Sequence, residues 1–404
     1  MQLQRFELVT ACALIFCTNI AAAQESGWKN SMQAGLRAQQ QGNYSEALKQ
    51  LQSAATQAEQ FGGNDPRFAQ SLGMLASVQQ GLAYYVDAEA SYKRANAIVE
   101  HAEGANGRNA IRGQINLASL YQEEAKFDEA EKVGKQALAA IEKNYPSDQA
   151  GIAAAAQNLA VLYRTEGRND EAEALYRRSL ALVRQFAGEK NPAYANVLQN
   201  LSVVVREEKK YDEAESLGKQ SLEIWTQTLG ENNPTVGMGK SNLAKTYCAE
   251  KKYEEAEELS RVCLESFAKM FAADHPYVAN CQSGLAEVYI AEEKATEAEP
   301  LCEASLQSRK KAFPVAHPKV ARSLEQLGQV REMQGKTDEA ASLYKESLAT
   351  YEKAFGSNHH PDMDSLVQRY AALLEKSGQK AEAAELLAKQ HNSVAAIPTS
   401  PSPK

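Results

Sequence analysis

Residues 158–173 read Asn158-Leu159-Ala160-Val161-Leu162-Tyr163-Arg164-Thr165-Glu166-Gly167-Arg168-Asn169-Asp170-Glu171-Ala172-Glu173, and this stretch decides the fold because it returns. The closing acidic motif recurs as Asp128-Glu129-Ala130-Glu131, Asp212-Glu213-Ala214-Glu215, Glu254-Glu255-Ala256-Glu257, Thr296-Glu297-Ala298-Glu299 and Asp338-Glu339-Ala340. Its alanine recurs every 42 residues from Ala130 to Ala340, with weaker copies at Ala47, Ala88 and Ala383. Nine copies result, and a fixed period of this length is the mark of a repeat array. The opening motif recurs as Asn116-Leu117-Ala118 to Tyr121 and Asn242-Leu243-Ala244 to Tyr247. Leu, Ala and Tyr at these offsets form one apolar stripe on a helix. A polar turn follows, and the acidic motif then opens a second helix, where carboxylates suit the free N–H groups and the positive helix end.

Working outward, the linkers between units also repeat. They read Asn64-Asp65-Pro66, Asn191-Pro192, Asn233-Pro234, His275-Pro276, His317-Pro318 and His360-Pro361. A polar cap before proline is a helix start. The spacing therefore predicts two helices per unit. The small alanine lets the paired helices approach closely.

These motifs resemble the tetratricopeptide repeat, in the 42-residue form of kinesin light chains and nephrocystin-type proteins. The resemblance covers about residues 28–390 and implies an all-α, right-handed superhelical solenoid of helix-turn-helix repeats. It implies partner binding and no particular biological job. No heptad run like the one joining kinesin light chains to a motor is present.

The flanks complete the domain plan. Residues 1–23 read as a signal peptide: Arg5, an apolar run from Leu8 to Phe16, and Ala21-Ala22-Ala23 before Gln24. An uncleaved anchor is the alternative. The expected location is outside the cytoplasm, periplasmic or secreted, with no integral span after processing. Residues 391–404 carry Pro398, Pro401 and Pro403 among serines and are expected to be disordered.

The chain has 404 residues, 24% of them charged, with a net charge of −8. An acidic balance argues against nucleic acid as a partner. With repeats filling the chain, no catalytic domain finds room, and we expect no enzyme activity, no cofactor and no metal site. The histidines fall mainly in linkers, away from any ligand cluster, and no phosphate loop is present.

In the resembled family the first helices line the concave face. That places Asn116, Asn158, Asn200 and Asn242 in one inner row, joined by Arg112, Arg164, Arg206 and Lys245. Asn carries both an amide donor and a carbonyl acceptor. Related proteins use such a row to hold an extended peptide backbone, and the basic residues favour an acidic peptide or a carboxylate terminus. The row breaks at Gly284, is partly restored by Gln326 and ends at Arg369. Amides bonded to neighbouring helices are the competing reading. A scaffold acting through convex and edge surfaces is the competing function.

Four cysteines follow the expected cleavage site: Cys248, Cys263, Cys281 and Cys302. Cys263 ends one second helix and Cys281 begins the next first helix, so the two are a candidate disulfide between repeats, suited to an oxidising compartment. Two buried thiols are the alternative.

Overall fold

The computed structural model describes residues 24–356, 358 and 360–395. The expected signal peptide and residues 396–404 of the expected tail lie outside the described residues. Eighteen helices and no strand occur among the described residues. They are α1 (24–40), α2 (Tyr44–Glu59), α3 (Pro66–Gly81), α4 (Tyr85–Glu103), α5 (Arg108–Glu123), α6 (Phe127–Asn144), α7 (Gln149–Thr165), α8 (Asn169–Ala187) and α9 (Pro192–Glu207). The second half continues with α10 (Tyr211–Leu229), α11 (Pro234–Ala249), α12 (Tyr253–Met270), α13 (Pro276–Ala291), α14 (Ala295–Ala312), α15 (Pro318–Met333), α16 (Thr337–Phe355), α17 (Pro361–Lys376) and α18 (Lys380–Ala395). Helix α18 thus continues past residue 391, where disorder was expected to begin. No described helix is long and apolar enough to cross a membrane.

Contacts divide the chain into two compact units that meet within α5, at Gly113 and Gln114. In the first unit α3 packs on both α2 and α4. The Trp28 indole donates to Ser71 Oγ at 2.8 Å in its interior. In the second unit the odd-numbered helices from α7 on pair with the even-numbered helix after them, as α7 with α8 and α15 with α16, and each pair stacks on the next. Odd-numbered helices of neighbouring repeats also touch, α9 with α11, α11 with α13 and α13 with α15, which makes them the inner layer.

Local chemistry explains the elements. All nine motif alanines are at most 1% exposed, so any larger side chain would push the helices apart. At the helix starts Asp65, Asn191, Asn233, His275, His317 and His360 each accept a hydrogen bond from the N–H two residues on. Every odd-to-even turn holds one residue at positive φ, from Gly42 and Ala83 through Gly167 and Lys209 to Gly378, closing the odd-numbered helix.

Helices α6, α8, α10, α12, α14 and α16 carry the acidic motif in their first turn, as the sequence predicts, but the residue at each cap is a cation. Their caps are Lys126, Arg168, Lys210, Lys252, Lys294 and Lys336, and none makes a side-chain cap bond. Where the motif closes on a glutamate, that glutamate reaches the next repeat. Arg168 pairs with Glu131 at 3.1 Å, Lys210 with Glu173 at 2.9 Å and Lys252 with Glu215 at 2.8 Å. Each of these cations also pairs with the glutamate two residues before it, Glu166, Glu208 or Glu250.

The second unit curves back on itself. Asn358 Nδ2, in the linker before α17, donates to the Glu124 carbonyl beside α5 at 2.7 Å. The His360 ring lies 6.2 Å from that of Phe127.

Candidate functional site

The inner helices of the second unit carry the asparagine row on α5, α7, α9 and α11. Asn116 is exposed, and Asn158, Asn200 and Asn242 are partly so. Asn158 Nδ2 donates to the Ala154 carbonyl of its own helix at 3.1 Å. Arg112 lies in the first unit and is exposed. The remaining basic positions are engaged. Arg164 pairs with Glu207 at 3.1 Å, and Lys245 with Glu287 at 3.2 Å. Arg206 is partly buried and reaches the Asn242 carbonyl at 3.4 Å, and burial lowers its pKa.

Where the asparagine row breaks, the inner helices enclose open space. A cavity of about 290 Å³ opens between α11, α13 and α15, lined by Asn242 and Lys245 and floored by Cys263, Phe267 and Cys281. Gly284, the break in the row, makes part of this room: a Cβ there would stand 3.1 Å from Ser241 Oγ. Gly237 does the same on α11, because a Cβ would collide with the Phe267 ring. Gln326 is buried rather than presented. It accepts from Ser283 Oγ at 2.7 Å and donates to Glu287 at 3.1 Å.

Glu287 organises the charges on this wall. It also takes Arg322 at 2.7 Å. Burial pushes its carboxyl upward, but Lys245 and Arg322 outweigh that and hold it at about 2. Arg309, Lys319 and Arg322 line the same cavity, so four cations face one carboxylate. The sequence reading missed these three. One signal was available: with the repeats aligned at 42 residues, Arg309 falls in a column of apolar residues.

Cys263 and Cys281 are buried side by side between α12 and α13, with 6.2 Å between their Cα atoms. That is within disulfide reach. Cys302 is fully buried, and burial pushes its thiol up to about 12. Cys248 is partly buried, and burial likewise raises it to about 11. Neither is a reactive thiolate at neutral pH. Among the described residues no group of three His, Cys, Asp or Glu side chains could hold a metal ion.

Paired helices repeated in this way define an all-α solenoid of helix-turn-helix repeats, a class built for holding other proteins. The tetratricopeptide repeat model matches residues 151–227, 201–269 and 277–353, and the chain is a tetratricopeptide repeat protein. Such repeats form protein–protein interaction modules and are generally non-catalytic. No curated protein matches the sequence. Among solved structures, a Rap protein complexed with competence and sporulation factor is similar at TM-score 0.53 and 15% identity, covering 83% of this chain and 98% of its own. The apo form of RapI is similar at TM-score 0.51 and 13% identity, covering 70% and 98%. BtubC (BKLC) from P. vanneervenii is 22% identical at TM-score 0.44, covering 62% and 94%. These identities speak to the fold alone.

Proposed function

We propose that the protein is a binding module of the cell envelope that holds an extended, acidic segment of a client polypeptide against its inner helices. The observation that carries this reading is the cavity between α11, α13 and α15, which joins the end of the asparagine row to a cluster of cations. Pre-formed concave sites with a few convergent polar groups are where ligands bind. The amides of Asn158, Asn200 and Asn242 supply donors and acceptors for a backbone of any sequence, and the cations select for carboxylates. The Cys263–Cys281 pair, closed as a disulfide in an oxidising compartment, fixes the floor of the cavity between α12 and α13.

The test is client capture from the native compartment by the wild type and by the triple variant Asn158→Ala, Asn200→Ala, Asn242→Ala. Capture falls at least tenfold in the variant while its melting temperature stays within a few degrees. Undiminished capture by a folded triple variant overturns the groove reading and leaves the outer surfaces as the working site.

A further inference from the structure

One column of the repeat holds Ile141, Val183, Trp225, Phe267, Arg309 and Tyr351, each 42 residues after the last. All six side chains are buried, and Arg309 is only 5% exposed. A guanidinium therefore stands where five other repeats of this unit place an apolar side chain. It takes over a local hydrogen bond of that column. The Trp225 indole donates to Asn196 Oδ1 at 3.1 Å, and Arg309 Nη2 donates at 3.2 Å to Oδ1 of Asn280, the equivalent of Asn196 two repeats on. Arg309 Nη1 donates to Ser323 Oγ at 2.7 Å and to the Lys319 carbonyl at 3.3 Å. Its Nε is buried and has no hydrogen-bond partner among the described residues.

None of these partners carries a negative charge. Burying a cation without a counter-anion is strongly unfavourable. Burial accordingly pulls the Arg309 pKa down to about 10. The surrounding charges do not supply the missing anion. Glu287, the one carboxylate lining the cavity, is engaged by Lys245, Arg322 and Gln326. Lys319 lines the cavity, its ammonium 5.0 Å from the Phe313 ring centroid, and the Glu123 charge acts on it. The rest of the lining mixes the apolar Met238, Phe267 and Tyr277 with the polar Ser241, Asn242 and Ser283.

We infer that this cavity is an anion subsite in which Arg309, flanked by Lys319 and Arg322, receives a carboxylate of the bound polypeptide. The polypeptide itself rests on the groove reading above. The guanidinium, held by Asn280, Ser323 and the Lys319 carbonyl, is preorganised for a further charge-assisted bond. Met238, Phe267 and Tyr277 give a carbon chain something to rest on, which suits an organic carboxylate better than a free inorganic ion.

Calorimetric titration of the full chain tests this with three probes: hexaglutamate blocked at both ends, hexaglutamine with a free C-terminal carboxylate, and inorganic phosphate. At least one peptide binds the wild type, and its affinity falls tenfold or more in Arg309→Phe and severalfold in Lys319→Gln. Which peptide binds tells side-chain from terminal carboxylate. Arg309→Phe restores the residue type of its column and melts no lower than the wild type. Lys319→Gln alters an exposed side chain and decides the matter should Arg309→Phe not fold. Peptide affinities unchanged in both variants, phosphate bound where neither peptide is, or no titration at all would overturn the subsite. The Asn158→Ala, Asn200→Ala double variant separates the two readings. Loss there with none in Arg309→Phe overturns the subsite and spares the groove; the reverse pattern spares the subsite and removes the asparagine row.

Discussion

Cys263 occupies the position that repeats four, five, seven and eight give to Ser179, Ser221, Ser305 and Ser347, all buried. Ser179 and Ser347 donate to the Ala153 and Ala321 carbonyls at 3.2 and 2.7 Å, and Cys263 Sγ sits 3.4 Å from the matching Gly237 carbonyl. Only a thiol can donate there; a disulfide has no proton to give. The neighbouring pair Ser305 and Ser323, with 3.4 Å between hydroxyl oxygens, stands where Cys263 and Cys281 stand one repeat earlier. Two states of the protein therefore separate cleanly. With reductant, Cys263→Ser stays within about 1 kcal/mol of the wild type, because serine makes the bond its column makes. Without reductant, the wild type gains about 3 kcal/mol that the variant lacks, the value expected for closing a loop of this length. Urea unfolding of both proteins with and without reductant measures this, and wild-type midpoints indifferent to reductant contradict the disulfide. Reading along the chain was enough to make these cysteines a candidate pair, because the period sets α13 on α12, but it misplaced them: Cys263 lies seven residues before the end of α12 and Cys281 five residues after the start of α13, within the helices and not at their ends. Reading along the chain could not find Arg309, because an arginine beside Lys310 and Lys311 resembles any solvated run until it is set beneath Trp225 and Phe267.

The helices show the same division between local and distant causes. The cap-and-proline starts were legible because the whole interaction spans two residues. His317 Nδ1 accepts from the Lys319 N–H at 3.0 Å, and its ring lies 4.2 Å from that of Phe313. Replacing His317 by Ala removes the acceptor and part of a buried contact, and we expect a loss of about 1–2 kcal/mol in chemical denaturation. His317→Asn restores the acceptor and recovers most of the cap. Equal stability of the alanine and wild-type proteins would show that the linker, and not the cap, starts α15. The acidic motif was legible as a helix start but not in its second role. Its last glutamate meets a cation 37 residues later, and the Tyr163 hydroxyl bonds the same Glu131 at 3.0 Å. A partner so far along the chain is visible only once the repeats are stacked. The motif's recurrence therefore reflects contact between repeats as well as the electrostatics of a helix end.

At the scale of the whole molecule, the 42-residue period runs unbroken through Gly113, whereas contacts divide the chain there into two compact units. Periodicity reports that neighbouring repeats match, and it is silent about how strongly each pair adheres. The second unit has a charge ladder with a definite pH response. Burial raises the Glu131 carboxyl, but Arg168, Lys135 and Tyr163 bring it to about 2. Lys210 holds Glu173 at about 2, and Lys219 with Lys252 holds Glu215 there. These folded pKa values lie below the ordinary 4.5, so between the two the unfolded chain binds more protons than the folded one. The stabilisation is complete above about pH 4.5 and is lost as pH falls towards 2. The melting temperature should drop across that window, and Glu287→Gln, which removes a further carboxylate held at about 2, should make the drop smaller. A melting temperature flat across the window contradicts the ladder. The central claim is that a client lies against the inner helices. A photo-crosslinking amino acid at Met238, exposed at the cavity on α11, is compared with one at Val262, exposed on α12, in protein made in its native cell. The account predicts a discrete crosslinked client from position 238 and none from position 262; a client captured from 262 and not from 238 would contradict it.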